Sequence, residues 1–279
     1  MWTEENRKLY DRRGLRYPSD MTDEEWALVK PLIPPGKKHG RHRTVDLREV
    51  LNGIFYVLST GCQWRALPKD LPPRSTVNEY FKLWEWDGTL ERIHHALFVQ
   101  VRELAGKEAS PTAAIIDSQS VKAAERGGAT VDPVGYDAGK KIKGIKRHVT
   151  VDTLGMVLVA EIQPANVQDR DGALPVLADA RRRFPFIEKI FADGGYQGQP
   201  TAVAVAALGH WHLEIVKRAD QAKGFVVLPK RWIVERTFAW IGRCRRLSKH
   251  VENLTRTALA MLRLAMIRLM MRRVARLSA

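Results

Sequence analysis

The sequence predicts a mixed α/β fold preceded by a small all-helical region. Three observations carry that prediction. The first hundred or so residues repeat their apolar positions at helical spacing between proline-rich links. Beyond them, two short alternating runs flank a tight turn, as the strands of a hairpin do. Later apolar runs then interleave with helical stretches, which is the pattern of a sheet with flanking helices.

Taken in order, "TDEEWALVKPLI" reads as a helix in which Thr22 and Glu25 have capping-box spacing and Trp26, Val29 and Ile33 share a face. Pro31 kinks its last turn, and Pro34 and Pro35 stop it. After the basic connector "GKKHGRHR", "VDLREVLNGIFYVLSTG" returns to helical periodicity. The link "LPKDLPPR" leads into "STVNEYFKLWEWDGTLERIHHALFVQVREL", where Ser75 can cap, Val77, Phe81 and Trp84 share a face, and Gly88 divides two helices. Trp84 and Trp86 both read as core residues. Residues 1–109 therefore form the helical region and residues 110–279 the remainder.

In that remainder "TAAIID" is a buried strand, and "RHVTVD" and "MVLVAEI" form the hairpin around "DTLG". "RDGALPVLADARRRF" is a helix, "KIFAD" a strand, "QPTAVAVAAL" a helix and "LEIVKR" a strand. "KRWIVERTFAWIGRCRRL" is helical, and a basic amphipathic helix follows from about Leu254. "AAERGGATVDPVGYDAGKKIKG" is the one long loop, and loops of that length inside a domain are more often functional than idle.

Lys and Arg total 46 against 31 Asp and Glu, and the excess is spread along the chain, so a polyanion such as nucleic acid is the natural partner. The two cysteines, Cys62 and Cys244, fit no zinc spacing and suit a reducing cytosol. The opening residues are too charged for a signal peptide, and arginines interrupt "ALAMLRLAMIRLMMRRV", so no membrane partner is expected.

Asp117 and Asp193 each end an apolar run, and carboxylates at strand ends can converge on a hard cation or simply open a turn. Asp152 is explained by its turn, and Asp169 and Asp171 by capping a helix. Glu235 lies within a helix. At about 100° per residue, Arg231, Ala239, Gly242, Arg246 and Lys249 fall on its face if the helix runs that far. Such a face suits a phosphate backbone approaching an acid, or else a solvated surface of intrahelical pairs.

"IIDSQSVKAA", "GIKRHVTVDTLGMVLVAEIQPANVQDRDGA", "IFADGGYQG" and "RWIVERTFAWIGRCRRLSKHVE" resemble the successive blocks of bacterial insertion-sequence DDE transposases of the compact group called family five. "MTDEEWALVKPLIP" and "LNGIFYVLSTGCQWRALPKDLPPRSTVNEYFKLW" resemble that group's helical region. The resemblance implies a ribonuclease-H-like catalytic domain whose acidic triad, carried over from "IID", "ADGG" and "VERTF", is Asp117, Asp193 and Glu235. It also implies cleavage at transposon ends and strand transfer into target DNA, with no covalent protein–DNA intermediate. Three carboxylates without a recognisable serine or cysteine nucleophile suit two Mg²⁺ ions about 4 Å apart, with Mn²⁺ as a substitute.

A broader signature places a tyrosine and a lysine where this sequence has Leu228 and Gly242. The downstream basic role would then move to Arg245, Arg246 or Lys249. His148 is placed either near the scissile phosphate or as a packing residue, with Lys146 and Arg147 beside it as DNA contacts. End recognition is expected from Arg74, Ser75, Asn78 and Lys82, with Arg41 and Arg43 as phosphate clamps. The partner is double-stranded DNA, both terminal inverted repeats and target, bound by a homodimer or larger assembly in the bacterial cytoplasm at the nucleoid. A stand-alone metal-dependent nuclease and a catalytically inactive DNA-binding repressor are the alternatives. The complete acid set weighs against the repressor, and the full series of blocks against the nuclease.

Overall fold

The computed structural model describes residues 3–36, 42–128, 130–209, 211–216 and 230–278. Arg41 and Leu228, singled out in the sequence, lie outside the described residues. The chain divides into two compact units: Met1–Ala105 with Cys244–Arg246 and Ala260–Ala279, and Gly106–Arg243 with Leu247–Leu259. The sequence alone predicts one boundary, after Ala109, with the final helix wholly in the later region. Among the described residues no helix is long and apolar enough to cross a membrane.

The first unit contains α1 (Glu4–Leu9), α2 (Asp23–Val29), α3 (Leu47–Thr60), α4 (Arg74–Trp86) and α5 (Thr89–Leu104). The capping box at α2 is formed: Glu25 N donates to Thr22 Oγ1, and Thr22 N donates to Glu25 Oε2, both at 3.2 Å. Pro31 lies in a short 3₁₀ turn that continues α2. Pro73, without a side-chain bond, occupies the cap position of α4, so Ser75 sits inside the first turn instead of capping it. Gly53 lets α3 approach α4, because a Cβ there would lie 3.1 Å from the Val77 methyls. Val77, Phe81 and Trp84 are buried as their spacing predicts. Trp86 is 77% exposed, because two residues along a helix is about 200° of rotation.

Residues 260–277 of α9 (Thr255–Leu277) complete this unit. Met261, Leu264, Ile267 and Met271 are buried, Arg272 Nη2 donates to Pro18 O at 2.9 Å, and Arg263 lies 3.8 Å from Glu91.

The second unit is built on a six-stranded mixed sheet: β1 (Ala113–Lys122), β2 (Gly135–Asp137), β3 (Ile142–Val151), β4 (Val157–Pro164), β5 (Lys189–Ala192) and β6 (His212–Ile215). The order is β2-β3-β1-β5-β6, with β4 following β2 along the same edge of β3. The β3–β4 pair is the predicted hairpin, and β1 is antiparallel to β3 but parallel to β5, which is parallel to β6. The helices are α6 (Asp169–Arg183), α7 (Gln199–Leu208) and α8 (Arg231–Gly242). Part of the long loop is therefore strand, since β2 pairs with the start of β3.

From Gly144 to Val151 every residue of β3 is buried, as befits a strand paired on both edges and covered on both faces. This corrects the placement of Lys146, Arg147 and His148 against DNA, since they are 5%, 2% and 0% exposed. Arg147 Nη2 donates to Leu247 O at 2.8 Å. The His148 ring packs so tightly on α6 that a Cβ at Gly172 would lie 2.2 Å from its Cε1, which favours the packing role.

Candidate active site

The β1–β5 register aligns Ile115 with Phe191, so Asp117 and Asp193 stand two residues further along adjacent parallel strands. Two residues is one strand repeat, so both carboxylates project to the same side on strands about 4.8 Å apart, Asp193 just past the end of β5 and Asp117 in the middle of β1, which runs on to Lys122 instead of ending at the acid. Asp117 is half-buried and accepts from Ser118 N at 2.7 Å. Asp193 caps a short 3₁₀ turn, accepting from Gly195 N at 2.8 Å. A Cβ on Gly195 would come within 3.0 Å of that same carboxylate oxygen. Burial, with the Asp193 charge added, pushes the Asp117 carboxyl up to about 7, against the opposing pull of the Ser118 N–H and the Arg231 charge.

Glu235 reaches the same region from α8. Thr237 Oγ1 donates to Gly155 O at 2.8 Å and Arg236 Nη2 to Leu154 O at 2.9 Å, fixing the helix on the β3–β4 turn. That turn is held by Asp152, which accepts from Leu154 N and Met156 N, as the sequence reading expects of a turn aspartate. With Ile233, Val234, Thr237, Phe238 and Ile241 facing inward, Glu235, Ala239 and Gly242 are left exposed. They form one wall of a cleft of about 520 Å³ whose other wall is Ser118, Gln119 and Ser120 of β1, with Lys140 also lining it.

Arg231 Nη2 lies 3.4 Å from Asp193 Oδ2, and its Nε lies 3.5 Å from Glu235 Oε1. Among the described residues no three His, Cys, Asp or Glu side chains form a ready-made metal group. The donor set nevertheless suits a hard cation: oxygen ligands only, two of them mutually repelling and one held near neutrality by burial.

Asp169, read as a cap, does something else. It opens α6, but its Oδ1 accepts from Ser118 Oγ at 2.7 Å and from Lys146 Nζ at 2.8 Å. Tyr196 is 1% exposed, and burial, then the charges of Asp117, Asp169 and Asp193, holds its ionisation well above the usual range. The sequence carries no local signal for this group, since Lys146 stands in a strand that also holds Lys143, Arg147 and His148.

The remaining candidates divide sharply. Arg74, Ser75 and Lys82 are exposed on α4 and Asn78 is half-buried there. Half-buried Arg43 donates to Pro34 O at 3.0 Å. Helix α8 ends at Gly242, so the face shared with Glu235 stops there and does not extend to Arg246 or Lys249. Arg245 and Lys249 are exposed, whereas Arg246 is 9% exposed and donates to Cys62 O at 3.0 Å.

The family described as "Transposase DDE domain" matches residues 108–270, and "Putative transposase of IS4/5 family" matches residues 21–94. A Burkholderia cepacia protein, "Insertion element IS402 uncharacterized 16.2 kDa protein", is 35% identical over 111 residues, which are 38% of this chain and 74% of that protein. The "Putative transposase for insertion sequence element IS402" of the same organism is 31% identical over 118 residues, 39% of this chain and 54% of that protein. No solved structure matches the chain.

Proposed function

The chain belongs to the transposase DDE domain family, its mixed sheet being the ribonuclease-H-like fold of that family, and from this premise we propose that it cleaves transposon ends and joins them to target DNA. The observation that carries the reading is the parallel β1–β5 register, which sets Asp117 beside Asp193. Asp117, Asp193 and Glu235 would hold two Mg²⁺ ions, with Mn²⁺ able to substitute. Such ions, when bound, activate an attacking oxygen and stabilise the leaving one.

The protein's own groups prepare for that chemistry. The Ser118 and Gly195 amides aim the two aspartates by donating to one oxygen of each. Glu235 is the most exposed of the three and stands on a cleft wall with Phe238, Ala239 and Gly242, where an extended strand can lie. End recognition is assigned to the first unit, through Arg74, Ser75, Asn78 and Lys82 of α4, and assembly on DNA to two or more copies of the chain.

Replacing Asp117, Asp193 or Glu235 singly with Ala should abolish Mg²⁺-dependent cleavage of a plasmid carrying the gene's flanking DNA. Binding should persist, because basic contacts dominate it. Wild-type cleavage by any one variant removes that residue from the triad. Cleavage without joining would favour the nuclease alternative.

A further inference from the structure

The cleft beside Glu235 contains a cation that the triad does not use. Lys140 sits at the tip of the β2–β3 hairpin, is exposed, and lines the cleft with Ser118, Glu235 and Gly242. Its placement is built in. Lys140 N donates to Asp137 Oδ1 at 3.0 Å, Ser120 Oγ donates to the other Asp137 oxygen, and buried Lys146 stands 3.7 Å from that same oxygen. Lys141 next to it adopts φ +54°, a left-handed conformation that a non-glycine residue seldom takes. A hairpin tip held this way is a fixed platform.

The ammonium itself has no ion-pair partner among the described residues, although its charge is felt at Asp117 and Asp169. Arg231 is occupied by Asp193 and Glu235, and Lys146 by Asp169. Across the cleft α8 presents Ala239 and Gly242, and a Cβ at Gly242 would meet nothing within 4 Å. The space beside Lys140 is therefore polar, open and positive at one point, which suits a backbone phosphate.

We infer that Lys140 binds a phosphate of the DNA strand lying in this cleft, making the β2–β3 tip a substrate-positioning element of the active site. The inference rests on the DNA-cleaving function proposed above and adds to it a residue outside the acidic triad.

The test uses the full-length chain and a plasmid carrying the gene's flanking DNA, with circular dichroism to confirm folding. Lys140→Gln should slow cleavage roughly tenfold or more and lower the salt slope of log affinity by about 0.9, the value for one phosphate contact. Lys140→Arg should keep most of the activity, and adding Gly242→Lys to the Gln variant should restore part of it from the opposite wall. A Gln variant with wild-type rate and slope overturns the inference. So does a slower variant whose slope is unchanged and which neither substitution rescues, because that marks a role in the turn alone. If wild type shows no metal-dependent cleavage at all, the parent function fails first and this inference with it.

Discussion

Arg231 holds Asp193 at 3.4 Å, and the same guanidinium lies 3.5 Å from Glu235. The arginine thus neutralises the second and third acids, which is also what bound cations would do. Arg231→Gln should cost well under about 1 kcal/mol of stability in the absence of metal, since the pairs are partly solvated. Mg²⁺ should then raise the melting temperature of the variant more than that of wild type, with each tenfold gain in affinity adding about 1.4 kcal/mol. Equal Mg²⁺ shifts in the two proteins would show that the arginine and the metal do not compete.

Asp169 is the counter-ion of a buried lysine. Asp169→Asn should destabilise the second unit by about 3 kcal/mol, because Lys146 is left charged and short of its best acceptor. Adding Lys146→Met should recover much of the loss. Urea titrations of the two single variants and the double variant give the coupling directly, and simple additivity would refute the pairing.

How legible these features are in the sequence depends on how local they are. Asp117 and Asp193 end apolar runs, and that pattern is visible without any tertiary knowledge. The Asp169–Ser118–Lys146 group is not, because β-sheet register and the entry of α6 bring together residues up to 51 positions apart. Lys146, Arg147 and His148 mislead for a related reason: three polar residues in a row suggest exposure, yet β3 is buried through all of them. The extent of α8 fails at Gly242, where the helix stops although the apolar and basic pattern continues through Arg246.

His250 should make the fold sensitive to acid. Burial, reinforced by Arg126, lowers its pKa from 6.5 to about 4, and its Nε2 lies 2.9 Å from Arg126 Nη1, so the ring accepts that bond as the neutral form. Its contribution is complete above about pH 6.5 and is lost as pH falls toward about 4, because only the unfolded chain takes up the proton there. His148, lowered to about 4, and His94, lowered to about 3, act in the same sense, while Asp117, raised to about 7, opposes them. Between pH 7 and pH 5, His250→Gln should lose on the order of 2 kcal/mol less stability than wild type. Parallel pH profiles would place the acid sensitivity elsewhere.

Gly155 controls where Glu235 is carried. Its φ is +83°, and a Cβ there would fall 2.9 Å from Thr237 Oγ1. Gly155→Ala should therefore cost about 2 kcal/mol and loosen α8 from its turn. Cleavage should fall more than DNA binding does. Unchanged stability by thermal melting would mean that the turn tolerates the methyl.

End recognition by α4 is best tested in the whole chain, because a fragment ending near Ala109 lacks the α9 residues that complete the first unit. Arg74→Ala and Lys82→Ala together should lower affinity for the gene's flanking repeats and reduce the salt slope by about two contacts' worth. Asn78→Ala should reduce preference for those repeats over random duplex by about 1–3 kcal/mol. Loss of affinity without loss of preference would leave α4 a backbone contact only.

The first unit is assembled from segments that leave the ribosome far apart in time. Its five opening helices emerge first, but residues 260–277 of α9 follow only after the intervening sheet has been made. At about 5–20 residues per second that interval is on the order of ten seconds, a reversal of the usual order in which the earliest region folds first. A truncated product that stops within the sheet carries all of α4 yet cannot finish the scaffold around it. Such products would make poor competitors for DNA ends, so the layout ties the ability to occupy an end to possession of the catalytic unit.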